Sequence, residues 1–185
     1  TYAVGGTPLD AAFNPDDGWV YYTDDASGEV RRLDPSSTPA TPTTAPVVTG
    51  LSDPRMLNFV APAIGDGDAG DDMFWVAEET SPGAIRLFTA AGLEVNPPSP
   101  IATLNGPVDP EQLGANVWTT IFADQAVQVF DAGDGTQASF SPIPRGVPGF
   151  DCPYEGWPVG IAIATQTITG VKEYSLSISN MDRLE

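Results

Sequence analysis

Two segments of the chain concentrate side chains that could do chemistry. Asp66-Gly67-Asp68-Ala69-Gly70-Asp71-Asp72 sets carboxylates on a glycine-rich loop. Carboxylate oxygens at alternate positions can converge on a hard cation such as Ca²⁺, which makes Asp66, Asp68 and Asp71 the candidate metal ligands. Position 70 is glycine where a third alternating aspartate would extend the pattern, and no glutamate follows at the offset of a bidentate ligand. A solvated acidic loop is the competing reading. The second segment is Phe150-Asp151-Cys152-Pro153-Tyr154-Glu155-Gly156-Trp157, loop-like and dense in rings and carboxylates. Aromatic rings pack well on apolar sugar faces, so Tyr154, Glu155 and Trp157 are the candidate ligand-binding residues, with structural packing as the alternative. Asp131-Ala132-Gly133-Asp134-Gly135 reads instead as a turn held by its aspartates.

Catalysis finds less to work with. Histidine is absent and Cys152 is the single cysteine. The commonest general base and transition-metal ligand are therefore missing, which weighs against Ser-His-Asp and zinc chemistry. One cysteine makes no intrachain disulfide and no four-thiolate site, and without a histidine partner Cys152 reads as a small hydrophobe. No catalytic residue is assigned.

The formal charge is −18, with Lys172 the only lysine. Such a surface repels phosphate backbones and anionic lipid, so neither nucleic acid nor a membrane surface is an expected partner. No apolar run approaches the roughly 18 residues of a membrane helix. The start at Thr1 without methionine fits processing or trimming. Few lysines, many Thr, Pro and Gly residues and acidic loops point to an extracellular, secreted protein, although no Asn-x-Ser/Thr sequon supports it.

The elements that must position these segments are short strands. Trp19-Val20-Tyr21-Tyr22 is aromatic and β-branched, Asp24 to Gly28 is turn chemistry, and Val30 to Leu33 begins another extended run. Pro8 to Phe13 precedes them as a third strand. The pattern recurs: a proline and an apolar segment at Pro8, Pro54, Pro110 and Pro158, then second strands at 19–24, 73–78 and 117–124. Third strands follow at 29–34, 84–92 and 126–135, each after an acidic or polar turn. Fourth strands are expected at 45–50, 100–104 and 138–143. Four short strands per unit of roughly 40–50 residues is the blade of a β-propeller. Nineteen prolines and nineteen glycines interrupt every window long enough for a helical period. Trp19, Trp75 and Trp118 fall on second strands, where packing between blades is the better account than sugar stacking. Pro35 to Pro46 reads as an extended Pro/Thr/Ser loop open to O-glycosylation.

Tyr21-Tyr22-Thr23-Asp24, followed by Ala26-Ser27-Gly28-Glu29-Val30-Arg31-Arg32, resembles a YWTD repeat of the low-density-lipoprotein-receptor propellers, with Tyr22 in the tryptophan position. The looser pattern is similar to NHL-type and gluconolactonase-type propellers. Asp10-Ala11-Ala12-Phe13 resembles the start of a hemopexin repeat, which implies a four-bladed ring. The gluconolactonase resemblance implies a metal held by a Glu, an Asn and an Asp, with Glu155, Asn58 and Asn116 as conceivable contributors.

The expectation is an all-β propeller of four blades over residues 1–185, with the N-terminal strand 1–5 closing the last blade. The alternative is part of a six-bladed propeller. Its expected function is extracellular recognition of a carbohydrate or protein ligand, lectin-like and Ca²⁺-assisted. The alternatives are a metal-dependent gluconolactonase-type hydrolase and a structural or storage protein.

Overall fold

A computed structural model of the chain describes residues 4, 6–37, 42–43, 45–60, 64–139, 141, 143–144, 156–168 and 171–182, the last three spans by their backbone alone. Its strands are β1 (Pro8–Phe13), β2 (Val20–Asp24), β3 (Glu29–Leu33), β4 (Pro54–Phe59), β5 (Met73–Glu78), β6 (Gly83–Thr89) and β7 (Ile101–Leu104). They continue as β8 (Pro107–Leu113), β9 (Asn116–Ile121), β10 (Ala126–Asp131), β11 (Ile143–Pro144), β12 (Gly156–Ile168) and β13 (Val171–Asp182). All pairings are antiparallel and between chain neighbours. They give three sheets, β1-β2-β3, β4-β5-β6-β7 and β8-β9-β10-β11, and a separate hairpin β12-β13. The all-β expectation holds.

Alternation along the strands explains how the sheets stack. In β5, Phe74 and Val76 point to one face and Trp75 and Ala77 to the other, and all four are fully buried. Phe74, Val76 and Phe88 join Tyr21, Val30 and Leu51 in a core between the first and second sheets. Trp75, Ile85 and Leu87 join Val117, Ile121 and Phe130 between the second and third. The second sheet thus has two dry faces, each large side chain contributing about 1.5–3 kcal/mol of transfer free energy. Rings of Tyr21, Phe59 and Phe74 meet at centroid distances of 5.2 to 5.7 Å, reinforcing the first interface.

Register sharpens the repeat and corrects one part of it. Pro8 pairs with Asp24, Pro54 with Glu78, and Pro107 with Ile121, and each inner strand has an irregularity immediately after its proline. The third unit therefore begins at Pro107, three residues before Pro110. Two prolines in one strand misled the spacing. An inner edge strand tolerates both, because the missing N–H is not needed in the ladder. Tyr21, Trp75 and Trp118 are likewise equivalent, paired with Ala12, Asn58 and Glu111. Trp19 lies two positions earlier, outside β2, where its ring lies under the Arg32 guanidinium.

The acidic turn is architectural, as its recurrence suggests. Asp24 Oδ1 accepts the Thr7 N–H at 2.8 Å and Glu78 Oε1 accepts the Ser52 N–H at 2.7 Å. In the third sheet Asp124 accepts the Asn105 amide at 2.8 Å. Each bond ties the turn to the segment entering the inner strand. Burial raises the Asp24 carboxyl, but donors from Thr7, Ser27 and Ala26 outweigh it and hold the group below its ordinary value. Of the expected fourth strands, β7 fits, 45–50 is reduced to a bridge of Val48 to Val30, and 138–143, of which 140 and 142 lie outside the described residues, meets the two-residue β11 at Ile143. The expected closing segment falls largely outside the described residues, and its Val4 packs beside Tyr22 and Leu33 of the first sheet.

Candidate functional site

The turns at one end of the first two sheets enclose a cleft of about 510 Å³. Asp17 comes from the β1–β2 turn, Tyr21 from β2 and Arg32 from β3. Thr43, Ala45, Pro46 and Val47 form the outer wall, and Ala90 and Ala91 come from the β6–β7 turn. Ala69, from the Gly/Asp insertion, closes the remaining side.

Its polar groups form a connected set. The Tyr21 hydroxyl donates to Asp17 Oδ2 at 2.6 Å and accepts from Arg32 Nη1 at 3.1 Å. Arg32 Nη1 lies 3.5 Å from the same Asp17 oxygen, and the guanidinium sits 4.7 Å above the Trp19 ring. Asp17 Oδ1 accepts the Trp19 N–H, which fixes the carboxylate from its other side. Burial, then the bond to Asp17, pushes the Tyr21 hydroxyl up to about 12, so it remains a neutral hydroxyl across the physiological range. A stacked, oriented guanidinium presents a planar donor edge at little conformational cost.

The insertion is pinned to the first sheet. Asp16 accepts the N–H groups of Gly65 and Gly67, the second at 2.8 Å. The buried Asn14 amide donates to the buried Asp72 Oδ2 at 2.7 Å. Within the loop, Asp66 accepts the Asp68 N–H and Asp68 accepts the Gly70 N–H. Two of the three candidate cation ligands thus cap their own loop. Among the described residues no group of three or more His, Cys, Asp or Glu is arranged to hold a metal ion. Tyr154 and Glu155 lie outside the described residues, and Trp157 is the second residue of β12, whose backbone pairs it with Met181. Asp131 and Asp134 cap their own turn through Gly133 and Thr136, as expected.

A second polar grouping lies on the inner strands. Asn58 donates to Asp109 Oδ1 at 2.7 Å and to the Pro110 carbonyl at 3.0 Å, stitching β4 to β8. Asp10 of β1 accepts the Leu57 N–H at 2.9 Å in the preceding step. Glu111, in the register position of Asn58, has its carboxyl pushed up to about 7 by burial and by Asp109. Asn116 sits at the end of β9 opposite Leu113 and Asp131. Sequence reading named Asn58 but missed Asp17, Arg32, Asp109 and Glu111. Tyr21 and Arg32 lay inside the YWTD-like stretch, which was read for architecture alone.

No family model matches the chain, and no curated protein matches it. The YWTD-like and hemopexin-like stretches therefore stand as local resemblances. Among solved structures, the fold is similar to a "putative 6-phosphogluconolactonase" from Bacteroides uniformis, with a TM-score of 0.59 and 16% identity. That likeness covers 98% of this chain, which spans 60% of the other. The fold is also similar to the computationally designed Ika4 protein, with a TM-score of 0.53 and 9% identity, covering 98% of this chain and 96% of that one. That protein belongs to a β-propeller family, and the all-β arrangement of three antiparallel sheets here is similar to a part of such a propeller.

Proposed function

We propose that the chain is a four-bladed β-propeller acting as an extracellular recognition module, with the cleft beside Arg32 as the seat for a carbohydrate. The observation that supports this is the cleft: about 510 Å³ of space walled by small side chains, onto which Asp17, Tyr21, Arg32 and Thr43 converge. Pockets of about 300–1,000 Å³ with a few oriented polar groups are the usual form of small-ligand sites. A charge of −18 disfavours phosphorylated ligands and leaves neutral hydroxyl-rich ones compatible.

A glycan array probed with the 185-residue chain, with and without EDTA, tests this reading. Binding that is lost on Arg32→Ala supports it. Binding that EDTA abolishes would bring Ca²⁺ at the loop of Asp66, Asp68 and Asp71 into the recognition step. No glycan bound in either condition removes the carbohydrate reading and leaves protein recognition.

One observation favours lactonase-type hydrolysis as a second reading. Glu111, with its carboxyl at about 7, sits beside Asp109 and the Asn58 amide on the inner strands, in a fold similar to that of a protein named for lactone chemistry. The described residues there supply two carboxylates and one amide and do not form a metal-holding group, so no step through a metal follows. Lactone hydrolysis by the parent chain and its loss in Glu111→Gln would support the reading; an inert parent chain removes it.

A further inference from the structure

Four arginine side chains are described, and three of them place the Nε edge of the guanidinium on carboxylates. Arg31 Nε donates to Glu29 at 2.7 Å. Arg86 holds Glu94 with both atoms of that edge, Nε at 3.0 Å and Nη2 at 2.6 Å. Arg55 sets Nε on Glu79 and Nη2 on Asp53, the latter at 3.2 Å. The two parallel donors of this planar edge match the two oxygens of a carboxylate. In a chain of charge −18, an arginine with the edge unfilled is the exception.

Arg32 is that exception. Its Nη1 meets the Tyr21 hydroxyl at 3.1 Å and lies 3.5 Å from Asp17, and its flat face covers the Trp19 ring. Among the described residues no carboxylate meets its Nε or Nη2. The side chain keeps 35% of its surface exposed and lines the cleft. Tyr21, with its hydroxyl pushed up to about 12, stays neutral and takes no charge off the guanidinium. Asp17 does so from further away than the nearest carboxylate of each of the other three arginines.

On the carbohydrate reading of this cleft, on which the inference rests, we infer that the Nε–Nη2 edge of Arg32 seats a carboxylate, so that the ligand is an acidic saccharide of the uronate or sialate type. The carboxylate oxygens take the two parallel donors, and the sugar ring lies against the small apolar walls at Pro46, Val47 and Ala90. A carboxylate brings one negative charge where a phosphate brings nearly two, so the field of an acidic chain opposes it less.

Titration of the 185-residue chain with uronate- and sialate-terminated oligosaccharides, beside the same compounds with the carboxyl reduced to an alcohol, tests the inference. The acidic compounds should bind about tenfold or more tightly than their reduced counterparts. Arg32→Lys keeps the charge without the fork and should lose most of that difference. Asp17→Asn removes the negative charge that competes for Arg32 and should tighten binding of the acidic compounds by about threefold or more. Weaker binding in that variant would overturn the inference, since it marks a neutral ligand that uses Asp17 as its acceptor. Arg31→Ala, in the same strand but committed to Glu29, should leave binding unchanged, and circular dichroism identifies any variant that has not folded. Equal binding of acidic and reduced compounds would overturn the inference and leave the carbohydrate reading standing. Binding of lactate but of no saccharide would keep the carboxylate seat and remove the carbohydrate reading. Binding of none of these probes removes both.

Discussion

The indole Nε1 of Trp75 donates a 2.8 Å hydrogen bond to the side-chain carbonyl of Gln112, joining the second and third sheets. Trp75 is fully buried, and Gln112 supplies the acceptor for its indole N–H. Gln112→Leu should leave the indole N–H unpaired and cost about 1–3 kcal/mol. Urea denaturation should show a lower midpoint with an unchanged slope, because the same surface is exposed on unfolding.

Asn14 and Asp72, both fully buried, form the corresponding polar tie between the first sheet and the insertion. Burial raises the Asp72 carboxyl, with Asp16, Asp71 and Asp17 adding to it and the Asn14 bond opposing it. Asn14→Ala removes the opposing donor and should cost about 2–3 kcal/mol at neutral pH. A raised carboxyl favours folding at pH below its unfolded value and loses that contribution as pH rises. The variant's deficit should therefore shrink in thermal melts at acidic pH and grow toward neutrality.

Glu111 gives a second pH-dependent test. Its carboxyl stands at about 7 in the folded chain against an ordinary value of 4.5. The protonated form is favoured by folding, so this contribution is complete below about 4.5 and is lost as pH rises through about 7. Glu111→Gln should match the parent at pH near 4 and exceed it at pH near 8. Partial exposure screens the effect, which is expected to be about 1–2 kcal/mol. Denaturant titrations at the two pH values measure it.

Arg32 separates recognition from stability. Its ion pair with Asp17 is partly exposed, so Arg32→Ala should change unfolding free energy by less than about 1 kcal/mol. The same variant should weaken glycan binding by about tenfold or more, through loss of the donor edge beside the cleft. Arg32→Lys keeps the charge but loses the planar stack on Trp19, and should recover little of that affinity. Calorimetric titration with a glycan found on the array compares the three.

The strands and most of the repeat were legible because a strand buried on one or both faces must place apolar side chains at alternate positions. MFWVAE declares two buried faces in six residues, and β5 uses both. The third repeat was read three residues late because Pro107 and Pro110 carry the same local signal. Only pairing with β9 tells them apart. The aspartate-rich loop was visible as a run of carboxylates among glycines. Its attachment through Asp16 and the service of Ala69 as a cleft wall were not, since both depend on a partner about fifty residues away.

Sequence by itself determined that this is an all-β chain of repeated short strands with acidic turns, because propensity, alternation and turn chemistry act over a few neighbouring residues. Only the tertiary structure decided which of its many polar residues meet. Asp17, Tyr21 and Arg32 converge because Tyr21 and Arg32 are register partners across β2 and β3 and the turn before β2 brings Asp17 to the Tyr21 hydroxyl, and Ala90 and Ala91 of the second sheet line the cleft beside them. Glu111 rises to about 7 because β8 is packed against its neighbours beside Asp109. Phe13 and Phe59 share a register position, yet one is exposed and the other packs on Tyr21. The type of residue is local information; the sheet it meets is not.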